Sequence, residues 1–116
     1  MKITTANGVS IALIDKSLDA ETAPNTQDVL LDLVQDGARK ILCDFSQTDY
    51  ISSRGLSAVL AATKKLRNIG GEMAFCSVGQ NVRQIFSISG FYEIFRIFES
   101  QDEALAELQR MSKSGN

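Results

Sequence analysis

The segment from Arg39 to Phe45, RKILCDF, has no polar face at its centre, because Ile41, Leu42 and Cys43 follow one another without a break. A strand that is apolar on both sides has to be covered on both sides, which is the position of a central strand in a parallel sheet flanked by helices. The neighbouring stretches supply the covers. Upstream, Val29, Leu30, Leu33 and Val34 form a helical stripe, with Pro24 suited to its first turn and Gly37 to its stop. Downstream, Leu56, Val59, Leu60, Thr63 and Leu66 recur at helical spacing from a start near Ser52 or Ser53 to an exit at Ile69-Gly70-Gly71. Lys64, Lys65 and Arg67 sit late in that helix, where its dipole favours positive charge.

The remaining stretches extend the pattern. Alternating residues on either side of Asn7-Gly8 predict an antiparallel hairpin, since both turn residues tolerate positive φ. Asp15 to Ala23 reads as polar and irregular. Met73 to Val78 predicts a strand, Val82, Ile85 and Phe86 a short helix ending near Gly90, and Ile94 to Phe98 another strand. Ser100 and Glu103 form a capping box for a last helix carrying Leu105, Leu108 and Met111. The expected architecture is one small α/β domain over residues 1–111, with a mostly parallel mixed sheet, an N-terminal antiparallel hairpin and flanking helices. Residues 112–116 are expected to be a frayed tail. A chain of 116 residues is long enough to hold one core without metals or disulfides.

Composition removes several classes of function. A formal net charge of -2 offers no basic field for nucleic acid. No apolar run is long enough for a membrane span, and no secretory leader is apparent after Met1, so the expected compartment is the cytoplasm. With no histidine, a Ser-His-Asp triad and the common histidine-containing zinc sites are ruled out. Cys43 and Cys76 both lie in apolar runs and read as buried, reduced thiols. Neither a Walker loop nor a dinucleotide GxGxxG follows a strand, and Gly70-Gly71 reads as a turn. Asp15, Asp19, Asp44 and Asp49 could include a magnesium-binding pair, but carboxylates near loop ends are common without it. We therefore expect no catalytic residues, no cofactor and no metal. A stand-alone enzyme stays a minor reading, to be revived by a ligand on Asp44 and Asp49.

The strand-to-helix junction, DFSQTDYISSRGLSAVL from Asp44 to Leu60, is where chemistry would concentrate. Serine at a helix start has two roles open to it: its oxygen can cap a backbone N–H, or it can carry phosphate where the helix N-terminus favours negative charge. Asp44 would by itself serve the following turn.

From Val9 to Gln109 the chain resembles the STAS family, in particular the stand-alone bacterial anti-sigma factor antagonists. The resemblance is carried by DFSQTDYISSRGL at Asp44 to Leu56, with its strand-ending aspartate, helix-start serine and Gly-Leu, and by VRQIFSISGFYEIFRIFESQDEAL at Val82 to Leu105. It implies a protein-binding switch. The unphosphorylated antagonist binds an anti-sigma factor that is also a serine kinase, which releases sigma factor. Phosphorylation of the helix-start serine ends that complex, and a serine phosphatase can restore it. On ISSRGL the acceptor falls at Ser53, with Ser52 as runner-up, and the partner-facing residues at Asp19, Asp44, Asp49, Tyr50, Ser52, Arg54, Gly55 and Ser57. Two positions depart from the family pattern: Ser52 stands where many members carry aspartate, and Arg54 where a small residue is common. Lys16-Ser17-Leu18-Asp19 also lacks a glycine often found there. The alternative these departures favour is a non-phosphorylated STAS scaffold, or a partner-binding module in a larger signalling assembly. A homodimer is compatible with the sequence but not implied by it.

Overall fold

The computed structural model describes residues 1–90 and 95–114. The opening hairpin pairs β1 (Lys2–Ala6) with β2 (Val9–Leu13), and Asn7 and Gly8 both take positive φ in the turn, 52° and 83°. The apolar run becomes β4 (Lys40–Asp44), between β2 on one side and β6 (Glu72–Cys76) on the other, both parallel to it. Parallel β7 (Arg96–Phe98) completes a five-stranded sheet in the order β1-β2-β4-β6-β7. The sequence therefore gives a mixed sheet whose antiparallel pair lies at one edge. Expected β7 residue Ile94 lies outside the described residues, as do Asn116 and Gly115 of the expected tail.

Helices α1 (Ala23–Gln35), α2 (Ser53–Asn68) and α3 (Gln80–Ser89) cover one face, and α4 (Gln101–Ser114) covers the other. Strand β4 explains why both faces need a cover. Ile41, Cys43 and Phe45 point into the cluster under α1, α2 and α3, whereas Leu42 packs with Ala74, Cys76, Ala104 and Leu108 under α4. An aromatic group fills the larger layer, with Phe45 edge-on to Phe75 at 5.5 Å between centroids and Phe86 at 5.2 Å from Phe95. Leu30 and Val34 of α1 and Val59 and Leu66 of α2 are buried on the same side, as their spacing requires.

The glycines after α1 and α2 end both helices in the same way. Gly37 has φ 109°, its N–H donates to the Val34 carbonyl at 3.2 Å, and Ala38 N–H donates to Leu33 at 2.9 Å. Gly70 and Gly71 repeat this on Arg67 and Leu66, at 3.1 and 2.9 Å. These paired bonds use carbonyls the helix itself leaves unmatched. The Ser100 cap is also formed, its Oγ accepting from Glu103 N–H at 3.2 Å.

The stretch Asp15 to Ala23, read from sequence as irregular, contains the main departure. Ser17–Leu18 forms a short strand, β3, paired in parallel with β5 (Tyr50–Ile51), so a second sheet of two strands stands beside the first. Leu18 is fully buried. Two-residue strands have no periodicity to read; they exist because the chain on either side is pinned.

Candidate functional site

The β4-to-α2 junction is tied to the segment from Ile14 through β3. Gln47 Nε2 donates to the Ile14 carbonyl at 2.9 Å, Thr48 Oγ1 to that of Asp15 at 2.8 Å, Asp49 N–H to that of Lys16 at 2.9 Å, and Ser52 N–H to that of Leu18 at 2.9 Å. The loop from Phe45 to Ser52 is thus laid alongside Ile14 to Leu18, and α2 starts at a fixed place and angle. Gly55 completes the fit. A Cβ there would run into the Leu18 carbonyl oxygen and stand 2.8 Å from Leu18 Cγ, so only glycine lets the first turn of α2 close on β3.

The two serines at the helix start are in different circumstances. Ser52 is the N-cap, in extended conformation, and its Oγ accepts from Gly55 N–H at 3.1 Å. Ser53 is the first helical residue, exposed, and its hydroxyl makes no hydrogen bond among the described residues. Because Ser52 holds one of the N-terminal N–H groups, we expect Ser52→Ala to destabilise the domain by about 1 kcal/mol in urea titration. A change within error would mean that the cap contributes nothing.

The sequence-designated residues divide by accessibility. Asp49, Tyr50, Ser53, Arg54 and Ser57 are exposed, Tyr50 by 54%. Asp44 is only 7% exposed and is used inside the domain: Oδ1 accepts from Ser46 N–H at 2.8 Å and Oδ2 from Gln101 Nε2 at 3.0 Å, which ties the end of β4 to α4. Gly55 is buried against β3. Asp19 closes the turn into α1, its Oδ1 accepting from the N–H groups of Glu21 and Thr22 at 3.0 and 3.1 Å. The Thr22 N–H, more than any other group, holds the Asp19 carboxyl below the usual carboxylate range. Asp44, Gly55 and Asp19 therefore shape the surface more than they present it.

The sequence reading left out a groove beside the serines. Asp49, Tyr50 and Ile51 face Asn81, Gln84 and Ile85 of α3 across a hollow of about 250 Å³. Ile88, one turn further along α3, is 76% exposed. The signal was present, since Val82 and Phe86 mark the buried line of this helix and Ile88 lies roughly 200° round from Phe86.

Burial pushes the Cys76 thiol up to about 12 and the Cys43 thiol further, and both are free and enclosed. Among the described residues no group of three or more metal-ligating side chains occurs, and no helix is long and apolar enough to cross a membrane.

Comparison with known proteins places the fold in context. The STAS domain profile matches residues 1–104. BtrV of Bordetella bronchiseptica, provisionally described as an anti-sigma factor antagonist, is 36% identical over 108 residues, covering 91% of this chain and 93% of its own. The anti-sigma F factor antagonist of Paenibacillus polymyxa is 28% identical over 106 residues, covering 90% and 91%. A Thermotoga maritima protein, provisionally an anti-sigma factor antagonist, superposes with a TM-score of 0.87 at 23% identity over 93% of each chain. The Bacillus cell fate determinant SpoIIAA in its phosphorylated form gives 0.72 at 17% identity, over 91% of this chain and 96% of its own. At these identities the two structures share the fold.

Proposed function

Since the chain belongs to the STAS domain family, we propose that it is an anti-sigma factor antagonist that binds an anti-sigma factor serine kinase and is switched off by phosphorylation at Ser53. The antagonist names of its relatives support the general role. The observation that carries the assignment of the switch is the contrast between the serines: Ser52 Oγ is engaged with Gly55 N–H, whereas the Ser53 hydroxyl is exposed and has no hydrogen bond among the described residues.

In this role the chain is a binding surface and a substrate, and performs no catalysis itself. The kinase brings ATP; the Ser53 Oγ–phosphorus bond forms as the bond from the γ-phosphorus to the bridging oxygen breaks, ADP leaves, and the hydroxyl proton passes to a base on the kinase. A phosphoserine adds about 1.5 to 2 negative charges. The N-terminal turn of α2 receives that charge favourably, so the domain stays folded, while any acidic surface facing it is repelled. Asp49 and Tyr50 border the same surface and would be covered by the partner. A serine phosphatase resets the switch, and the cycle belongs in the cytoplasm, where a sigma factor works.

Incubation with each anti-sigma factor kinase of the same genome and Mg-ATP, followed by phosphosite-resolved mass spectrometry, tests the assignment. Phosphate on Ser53, absent from Ser53→Ala, is the expected result. Phosphate on Ser52 would move the switch by one residue and require the cap to open. Binding without transfer would favour the second reading, a STAS scaffold recognised but not modified, to which the unusual Ser52 and Arg54 lend support.

A further inference from the structure

Arg54 has the wrong sign of charge for its place. The first turn of α2 contains no acidic residue, and its one charged side chain is this guanidinium, beside the positive end of the helix dipole. The other end of α2 follows the usual rule with Lys65 and Arg67, and α4 follows it with Asp102 and Glu103 in its first turn. Among the described residues no carboxylate pairs with Arg54 to offset the mismatch. Arg67 pairs with Glu72 at 2.9 Å, Arg83 with Glu99 at 3.7 Å and Arg96 with Glu72 at 3.6 Å, but Arg54 is exposed and forms no ion pair among the described residues. An exposed residue that opposes its own helix contributes little to folding, and such local conflicts collect where a chain meets a partner.

We propose that Arg54 is a specificity residue of the docking surface and engages a carboxylate on the anti-sigma factor kinase. This rests on the reading of the chain as that kinase's antagonist and adds the chemistry of recognition. The planar guanidinium presents paired N–H donors that match a carboxylate, and it gives up water more readily than an ammonium does. Asp49 exposes the opposite charge a few residues before Ser53, so the acceptor hydroxyl is bracketed by one negative and one positive side chain. A partner with the complementary pair is fixed in one orientation, whereas a partner with the reverse arrangement is repelled. The same residue gives phosphorylation a second effect. Phosphate on Ser53 repels the partner's carboxylate directly and also competes with it for the Arg54 guanidinium.

The test measures binding of wild type, Arg54→Gln and Arg54→Glu to the individually purified anti-sigma factor kinases of the same genome, by calorimetry at two ionic strengths, with thermal unfolding of each variant alongside. We expect Arg54→Gln to bind about tenfold more weakly and Arg54→Glu more weakly still, with the salt dependence of binding flatter for Arg54→Gln than for wild type. Unfolding temperatures should stay level or rise, because a cation has been removed from a helix N-terminus. Wild-type affinity in Arg54→Glu would overturn the inference while leaving the antagonist reading intact. A fall in unfolding temperature that tracks the loss of binding would overturn it by making Arg54 structural. Failure of wild type to bind any of these kinases would remove the antagonist reading and the inference with it.

Discussion

Ser53→Asp is expected to weaken the complex with the anti-sigma factor kinase by ~100-fold or more, while Ser53→Ala binds like wild type and accepts no phosphate. The size follows from the surroundings. A carboxylate at the first position of α2 lies well for its own helix, so the free domain loses nothing and its unfolding midpoint stays level or rises. The cost falls wholly on the complex, where like charges brought together at an interface cost several kcal/mol, and ~2.7 kcal/mol corresponds to that hundredfold. Surface plasmon resonance on the variants, with urea unfolding as the control for folding, separates the two quantities. Equal affinity of the aspartate and alanine variants would remove charge at Ser53 as the means of release.

Gly55→Ala is expected to lower stability by ~3 kcal/mol, an unusually large effect for the addition of one methyl group to a helix. Alanine is ordinarily the better helix former, and elsewhere in α2 the same exchange would stabilise. Here the new Cβ meets backbone, the Leu18 carbonyl, which also accepts the Ser52 N–H bond and has no freedom to turn aside. Either α2 moves out or β3 moves away, and both break the seam that fixes the helix start. Chemical denaturation reads the loss directly; stability within ~0.5 kcal/mol of wild type would mean that the first turn of α2 adjusts without difficulty. This test also separates two uses of Gly55, since a glycine needed only for a partner's approach would leave the isolated domain unaffected by alanine.

The layered sheet was legible because its signals are long. Ile41 to Cys43 demanded cover on both faces, and the α1 and α2 stripes, Asn7-Gly8 and Ser100-x-x-Glu103 each stated a local structure that the fold then uses. The β3–β5 pairing was not legible, because two residues cannot display alternation and because the bonds that create it run between main-chain groups far apart in sequence. The same limit applied at the site. Sequence nominated both Ser52 and Ser53, and only the placement of Gly55 N–H distinguishes the capping oxygen from the free one. Nor did the sequence show that Gln101, distant along the chain, would donate to the second oxygen of Asp44. Arg54, by contrast, was visible as a departure from the beginning, and the structure adds that it is exposed and forms no ion pair among the described residues.

The seam between Ile14–Leu18 and Gln47–Ser52 is held on one side by main-chain carbonyls and on the other by the Gln47 and Thr48 side chains and the Asp49 and Ser52 N–H groups, so neither the Tyr50 nor the Asp49 side chain takes part in these bonds. The exposed side chains at Asp49 and Tyr50, and at Arg54 just beyond the seam in α2, can therefore be exchanged at small cost to folding, since substitutions at such surface positions usually change stability by about 0.5 kcal/mol or less. A cell that keeps several switches of this build could insulate one pathway from another by rewriting a few exposed letters on an unaltered frame, and cross-talk between such pathways becomes a matter of surface spelling.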